Sequence, residues 1–280
     1  MQSSIPFIAM LAVACGKYQP DTDTGSPSEP IDTGSTPDDG GCIRVNGEGG
    51  WSDPQEAIDY ASDGDEVTLC AGTYEGKIRI NKPLSLKGPT QSTEIATIVG
   101  DSENPAIAVR ADDVSISWLT VEGGDTGIHI RDVNNTLIQS VTIDGLSVLG
   151  IHAKRSNDIR IQASSFKNLT AGAVRVEESS ATLFNNTFSG NIGWSVRAED
   201  EAILSVDQND FTGTMPNEDD LNAAVRVLSG ASLTSSNNLY TGNTGICIEA
   251  DDGHIDSAGD TFTIGSHAIF SEGGTVTVDN

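Results

Sequence analysis

The chain has 280 residues, of which 41 are Asp or Glu and 15 are Lys or Arg, giving a formal net charge of −26. A surface of that sign repels nucleic acid and anionic lipid, so electrostatics would recruit neither as a partner. Aromatic residues make up only 5%, against 30 glycines and 10 prolines, which argues for a turn-rich β protein and against a helical one.

The first element is "SIPFIAMLAVAC" (4–15), an apolar run too short to cross a membrane as a helix, and it reads as an export signal. Its end resembles a bacterial lipoprotein signal. The resemblance implies that residues 1–14 are removed and that Cys15 carries the lipid. Gly16 after the cysteine implies onward passage to the outer membrane or cell surface. An ordinary signal peptide, with the mature protein extracellular, is the alternative. Membrane attachment would then be through the lipid anchor alone. The following segment, "KYQPDTDTGSPSEPIDTGSTPDDGG" (17–41), holds six acids and one Lys and has almost nothing to bury. Residues 15–41 are therefore expected to be a disordered acidic tether, and the folded domain is expected over 42–280.

Cys42 and Cys70 flank one local unit, and an exported protein meets an oxidising compartment, so a Cys42–Cys70 disulfide is expected. By chain entropy it would contribute about 3–4 kcal/mol. Cys247 is left unpaired. Between the two paired cysteines, Asp53 can cap a short helix with Pro54 at its first position, and Ala57, Ile58 and Ala61 form its apolar stripe. Strand-like "EVTLC", "KIRI" and "LSLKG" follow. This stretch, "WSDPQEAIDYASDGDEVTLCAGTYEGKIRINKPLSLKG" (51–88), looks like the opening module of pectate-lyase-like β-helices. The resemblance implies that the helix covers the open end of a solenoid.

From residue 106 the chain repeats. Aligned on a small residue before an apolar triplet, it reads "AIAVR" (106), "GIHIR" (127), "GIHAK" (150), "AVRVE" (173), "SVRAE" (195), "AVRVL" (224), "GICIE" (245) and "AIFSE" (268). The first triplet position is β-branched in all eight: Ile107, Ile128, Ile151, Val174, Val196, Val225, Ile246 and Ile269. A second register recurs before a short turn, at Val121, Ile143, Phe166, Phe188, Phe211, Tyr240 and Phe262. A third strand-like segment lies between the two, as in "DIRIQA" (158–163). Three short strands per ~22 residues describe one coil of a right-handed parallel β-helix, of about ten coils, in which each coil buries its inward residues against its neighbours.

Strand alternation turns the first and third triplet positions inward and the second and fourth outward. The second position then reads Ala108, His129, His152, Arg175, Arg197, Arg226, Cys247, Phe270. The fourth reads Arg110, Arg131, Lys154, Glu177, Glu199, Leu228, Glu249, Glu272. His129 and His152 are therefore stacked neighbours about 4.8 Å apart, brought together by the repeat itself. Seven of the 15 basic residues, counting Arg155, fall on or beside this face. Diagonal pairing with Glu177 and Glu199 is one account of them. The other is a linear contact surface for an acidic polysaccharide, made of Arg110, His129, Arg131, His152, Lys154, Arg175, Arg197 and Arg226. Unperturbed histidines would strengthen such binding below about pH 6.5. The resemblance supports the second account, because polysaccharide-active members of this fold bind along the same face. The insertion "TMPNEDDLN" (214–222) would wall such a groove or be a tolerated surface loop.

No catalytic set is evident. Asp pairs at 111–113 and 250–253 fall in turns, "GIH" is not the Gly-His-Gly of the fold's hydrolases, and no Asp-rich trio marks a Ca²⁺-dependent lyase. Ca²⁺ is compatible with the fold but has no motif here, no other metal site or cofactor is indicated, and oligomeric state is not readable. The expected protein is an exported, surface-tethered β-helix that binds polysaccharide or serves a structural, adhesive role without catalysis. The alternative is a polysaccharide lyase or glycoside hydrolase acting on an acidic glycan.

Overall fold

The computed structural model of the chain describes residues 40–90, 93–146, 148–215, 223–263 and 267–279. The export segment 1–14, the Cys15 attachment point, nearly all of the 15–41 tether and residues 216–222 of the insertion lie outside the described residues.

Strands fall into three sheets, visited in the same order in every coil. Sheet 1, with nine strands from Ile78–Ile80 to His267–Glu272, carries the "GIHIR"-type segments. Sheet 2 has twelve strands and ends with Thr275–Asp279; sheet 3 has nine, ending with Thr261–Thr263. Coil-to-coil pairing is parallel throughout, as Ile128 with Ile151 and Ile138 with Ile161 show. The nine strands of sheet 1 count nine coils, close to the ten read from the repeat.

The start is built differently. Ile43–Val45 pairs antiparallel with both Glu48–Trp51 and Glu66–Thr68, giving sheet 2 a hairpin at its first edge. Helix α1 (Pro54–Tyr60) begins where expected: the Asp53 carboxylate accepts the backbone N–H of Gln55 at 2.6 Å and of Glu56 at 3.2 Å. Pro54, Ala57 and Ile58 are buried, so the apolar stripe packs onto the first coil. Cys42 and Cys70 form the disulfide, with Cα atoms 5.9 Å apart.

Inside, the second register becomes a column of rings. Phe166, Phe188, Phe211, Tyr240 and Phe262 stack at centroid spacings of 4.7–5.0 Å with planes 8–14° apart. At the corner after sheet 2, Asn186, Asn209 and Asn238 form a second column, each buried. The side-chain oxygen of each accepts the backbone N–H of the preceding coil's equivalent: Ser164 to Asn186 at 3.0 Å, Asn186 to Asn209 at 2.9 Å, Asn209 to Asn238 at 2.8 Å. A bend inside a solenoid strands peptide groups away from water, and this column satisfies them. The corner residue just before it is left-handed in six coils, with φ between 49° and 58° at Trp118, Ser140, Ala163, Asn185, Gln208 and Asn237.

One alignment differs from the repeat as read. Val225 pairs with Ile248, not Ile246, and Arg226 with Glu249. The triplet in this coil is thus Ile248, Glu249, Ala250, and Cys247 takes the small-residue place of Ala224. Ile246 and Ile248 both satisfy the inward pattern, and a slip of two residues keeps every side chain on its face, so the hydrophobic pattern could not separate the two registers. Phe270 stands beside Glu249 rather than Cys247, and Cys247 keeps its face but is buried. Its position opens the strand where backbones crowd: a Cβ on Gly127 would lie 2.6 Å from the Gly150 carbonyl oxygen.

Candidate functional site

The outward face of sheet 1 carries the basic residues, as the alternation requires, but the structure divides it into two unlike halves. From His152 onward the cations are matched by carboxylates. Glu177 meets the Lys154 ammonium, accepts from His152 Nε2 at 3.1 Å, and lies 3.4 Å from Arg175. Glu199 bridges Arg175 and Arg197, the latter at 2.6 Å. Glu249 holds Arg226 at 2.7 Å. Of these, His152–Glu177 and Arg175–Glu199 are diagonal, Lys154–Glu177 and Arg226–Glu249 lie directly side by side on adjacent coils, and Arg175–Glu177 and Arg197–Glu199 run along one strand. The Glu177 side chain is 9% exposed and that of Glu199 6%. Burial works to raise the Glu177 pKa, but Lys154, His152 and Arg175 outweigh it and hold it below the usual carboxylate value.

Arg226 corrects an expectation. Its side chain is 6% exposed and its partner Glu249 1%, so the pair is internal and offers a ligand no open guanidinium. The reason is the register: Glu249 stands beside Arg226 on the next coil, and Leu228 on the same strand is also buried.

The first half is different. Arg79 sits in register with Ala108, and Ala108 with His129, so Arg79 belongs to the same outward ladder. Arg79 precedes the regular repeat that starts at residue 106, although "KIRI" has the strand pattern. Arg79 is exposed and its guanidinium has no carboxylate partner among the described residues. Arg110 donates to the carbonyls of Val109 at 2.8 Å and His129 at 3.2 Å, and its guanidinium lies 3.3 Å from His129 Nδ1. Burial pushes the Arg110 pKa down, the nearby charges of Arg131 and Arg79 add to the shift, and Asp132 opposes it. Arg131 turns to the corner instead, where Asp132 receives it at 3.1 Å and receives Arg155 at 2.7 Å.

Where every other coil of this half has a long outward side chain, Ala108 has a methyl group. The gap it leaves is the floor of a shallow pocket of about 400 Å³, walled by Arg79, Arg110, Lys77 and Asn104. Lys77 pairs with Asp101 at 3.2 Å.

His129 and His152 stack with centroids 5.1 Å apart and planes 6° apart. Burial, then the charges of Arg110, His152, Arg131 and Lys154, lower the His129 pKa to about 4. Burial also lowers that of His152, partly offset by its hydrogen bond to Glu177. Neither ring is an unperturbed histidine, so the expected gain of charge below pH 6.5 does not hold for this pair.

Chemistry beyond charge is sparse here. Among the described residues, no three His, Cys, Asp or Glu side chains gather as metal ligands would. The turn aspartates serve turns: Asp112 accepts the Asn134 backbone N–H at 2.6 Å.

Comparison with known proteins agrees with the architecture. A cell surface glycoprotein of Methanothermus fervidus is 35% identical over 98 residues, which cover 34% of this chain and 16% of that protein. ORF18 of Geobacillus virus E2 superposes with a TM-score of 0.51 at 16% identity, over 80% of this chain and 57% of that one. PfbA, a surface adhesin of Streptococcus pneumoniae, gives 0.45 at 12% identity, over 80% and 88%. The chain thus spans a sixth of the glycoprotein and little more than half of the viral protein, and the structural likenesses concern the fold alone. Residues 100–262 match the family described as "Right handed beta helix region", and the chain belongs to that family.

Proposed function

We propose that this is an exported, surface-located β-helix protein that holds an acidic polysaccharide without cleaving it. The observation that carries the reading is the pair Arg79 and Arg110, two cations without a carboxylate partner among the described residues, flanking the notch over Ala108 on a chain of net charge −26. Scarce positive charge left unmatched beside a gap is what a carboxylate-bearing sugar needs: a guanidinium fork for the anion and room for the ring. Arg131, His129 and, further along, His152, Lys154, Arg175 and Arg197 would extend the contact. Their paired carboxylates make that part a rigid, hydrogen-bonding floor more than a source of free charge. Surface location draws support from the similarity to a cell surface glycoprotein. The lipid anchor on Cys15 is part of the same proposal and rests on the sequence of the export segment.

Calorimetric titration of the described domain with hexagalacturonate and with an alginate hexamer tests the reading. Binding of at least one is expected, weakening with added salt as screened contacts do. Ultraviolet absorbance from unsaturated product ends should not develop. The double substitution Arg79→Ser/Arg110→Ser should remove binding while leaving the melting temperature in place. Equal binding by the double variant, or steady release of unsaturated products, would overturn the proposal, the latter in favour of a lyase.

A further inference from the structure

Trp118 stands at the corner between the sheet 2 strand Val114–Ser117 and the sheet 3 strand Leu119–Glu122. The equivalent corner residues in later coils are Ser140, Ala163, Asn185, Gln208 and Asn237, all small or polar. Left-handed φ is costly for a bulky side chain and tolerated by Asn, and Trp118 adopts φ 58° there. Packing does not explain the choice, because the residue is 46% exposed, whereas Trp51 and Trp194 are buried. A large apolar face is held open at a strained position.

Beside it lies a shallow groove of about 220 Å³, lined by Trp118, Ile95, Thr120, Ser140, Thr142 and Glu94, among others. Thr120 is only 7% exposed, yet its hydroxyl has no hydrogen-bond partner among the described residues. The hydroxyls of Ser140 and Thr142 and the indole N–H of Trp118 are likewise unpartnered. The Thr120 hydroxyl is not sealed from solvent, so it is open to a ligand that enters the groove. Here the free donors and acceptors all border one cleft, next to one exposed indole.

From this arrangement we infer that the groove binds a single ring of a neutral hexopyranose chain. A pyranose offers an apolar C–H face that covers an indole, and a rim of hydroxyls that both donate and accept. The indole and Ile95 take the face, while Thr120, Ser140 and Thr142 take the rim. Glu94 disfavours a uronate and can accept from a sugar hydroxyl. The groove lies on the corner between sheets 2 and 3, away from the face of Arg79 and Arg110, and the inference stands independently of the acidic-polysaccharide reading.

Fluorescence decides it, because Trp118 is the accessible one of three tryptophans. Cellohexaose or maltohexaose should shift the emission to the blue and protect it from iodide quenching. Trp118→Asn should weaken binding by about tenfold or more, as expected for loss of an aromatic stacking surface, measured by calorimetry. Trp118→Tyr should retain a weaker interaction. Asn suits the left-handed corner, so Trp118→Asn should melt no lower than wild type. The Arg79→Ser/Arg110→Ser variant should titrate with these sugars as wild type does, which separates the two sites. No emission change with either hexaose at millimolar concentration would overturn the inference. So would unaltered binding by Trp118→Asn, or a lowered melting temperature showing that the indole supports the fold.

Discussion

Phe188 and Phe184 lie four residues apart in one coil, yet only Phe188 should be sensitive to replacement by alanine. Phe188 is fully buried, with Phe166 at 4.8 Å on one side and Phe211 at 4.7 Å on the other, planes 8° and 9° away. Removing its ring opens a gap in the middle of the column that neither neighbour can fill, since each is held by its own coil. Phe188→Ala should therefore cost about 3–5 kcal/mol, the usual range for deleting a buried ring. About 1–3 kcal/mol of that would be the two ring contacts, at roughly 0.5–1.5 each. Phe184 points outward from sheet 2 and is 39% exposed. Phe184→Ala should stay within about 0.5 kcal/mol of wild type. Urea unfolding followed by far-ultraviolet circular dichroism measures both. With a slope of about 1–3 kcal/mol per molar urea, Phe188→Ala should move the midpoint down by about 1 M or more. Equal midpoints for the two variants would refute the inward phase of the repeat. A loss below about 1 kcal/mol for Phe188→Ala would refute the tight column, because it would mean that the site collapses freely.

Two further outcomes follow from the titratable groups. His129 binds its proton near pH 6.5 in the unfolded chain but only near pH 4 when folded. The unfolded state therefore takes up more protons between those values, and folding stability should fall as pH drops through that window. His129→Gln should flatten the slope of urea midpoint against pH there, and an NMR titration placing His129 near its ordinary value would defeat the account. Cys247, buried in the small-residue place filled elsewhere by Ala106, Ala173 and Ala224, should resist thiol reagents until urea unfolds the domain. Rapid labelling of native protein would contradict that burial.

The solenoid was readable because every coil solves the same packing problem. Ile107, Ile128, Ile151 and Val174 sit on one another, so a single inward requirement is written repeatedly into the sequence. The same holds for the ring column, and for Asp53 and Pro54, whose roles are set within a few residues of themselves. The charges were harder. Alternation places Arg175 and Glu177 outward, but which carboxylate reaches which cation depends on side-chain conformations across two coils. The burial of Arg226 depended further on a register that Ile246 and Ile248 left ambiguous. Arg79 was missed because its strand stands 29 residues before its partner, Ile78 to Ile107, outside the regular period. The asparagine column did leave a signal, Asn186, Asn209 and Asn238 each falling two residues before an inward ring. Its meaning emerges only once the corner's peptide groups are known to need partners.

The asparagine column also bears on how such a molecule can change length over time. Asn209 presents its oxygen to the coil before it, taking the Asn186 N–H at 2.9 Å, and directs its own N–H to Asn238 at 2.8 Å. Each layer is thus a plug on one side and a socket on the other, and all sockets of this kind are alike. Duplicating a stretch of one period here would insert a layer whose two surfaces already match their new neighbours, in the ring column as well as the amide column. A partial period would bring a plug against a surface with no socket. Gene-level gain or loss within the strands and the asparagine corner of this segment is therefore tolerated only in whole layers. The 29-residue coil between Arg197 and Arg226 shows where extra residues are admitted without breaking the rule: between strands, leaving the stacking surfaces in step.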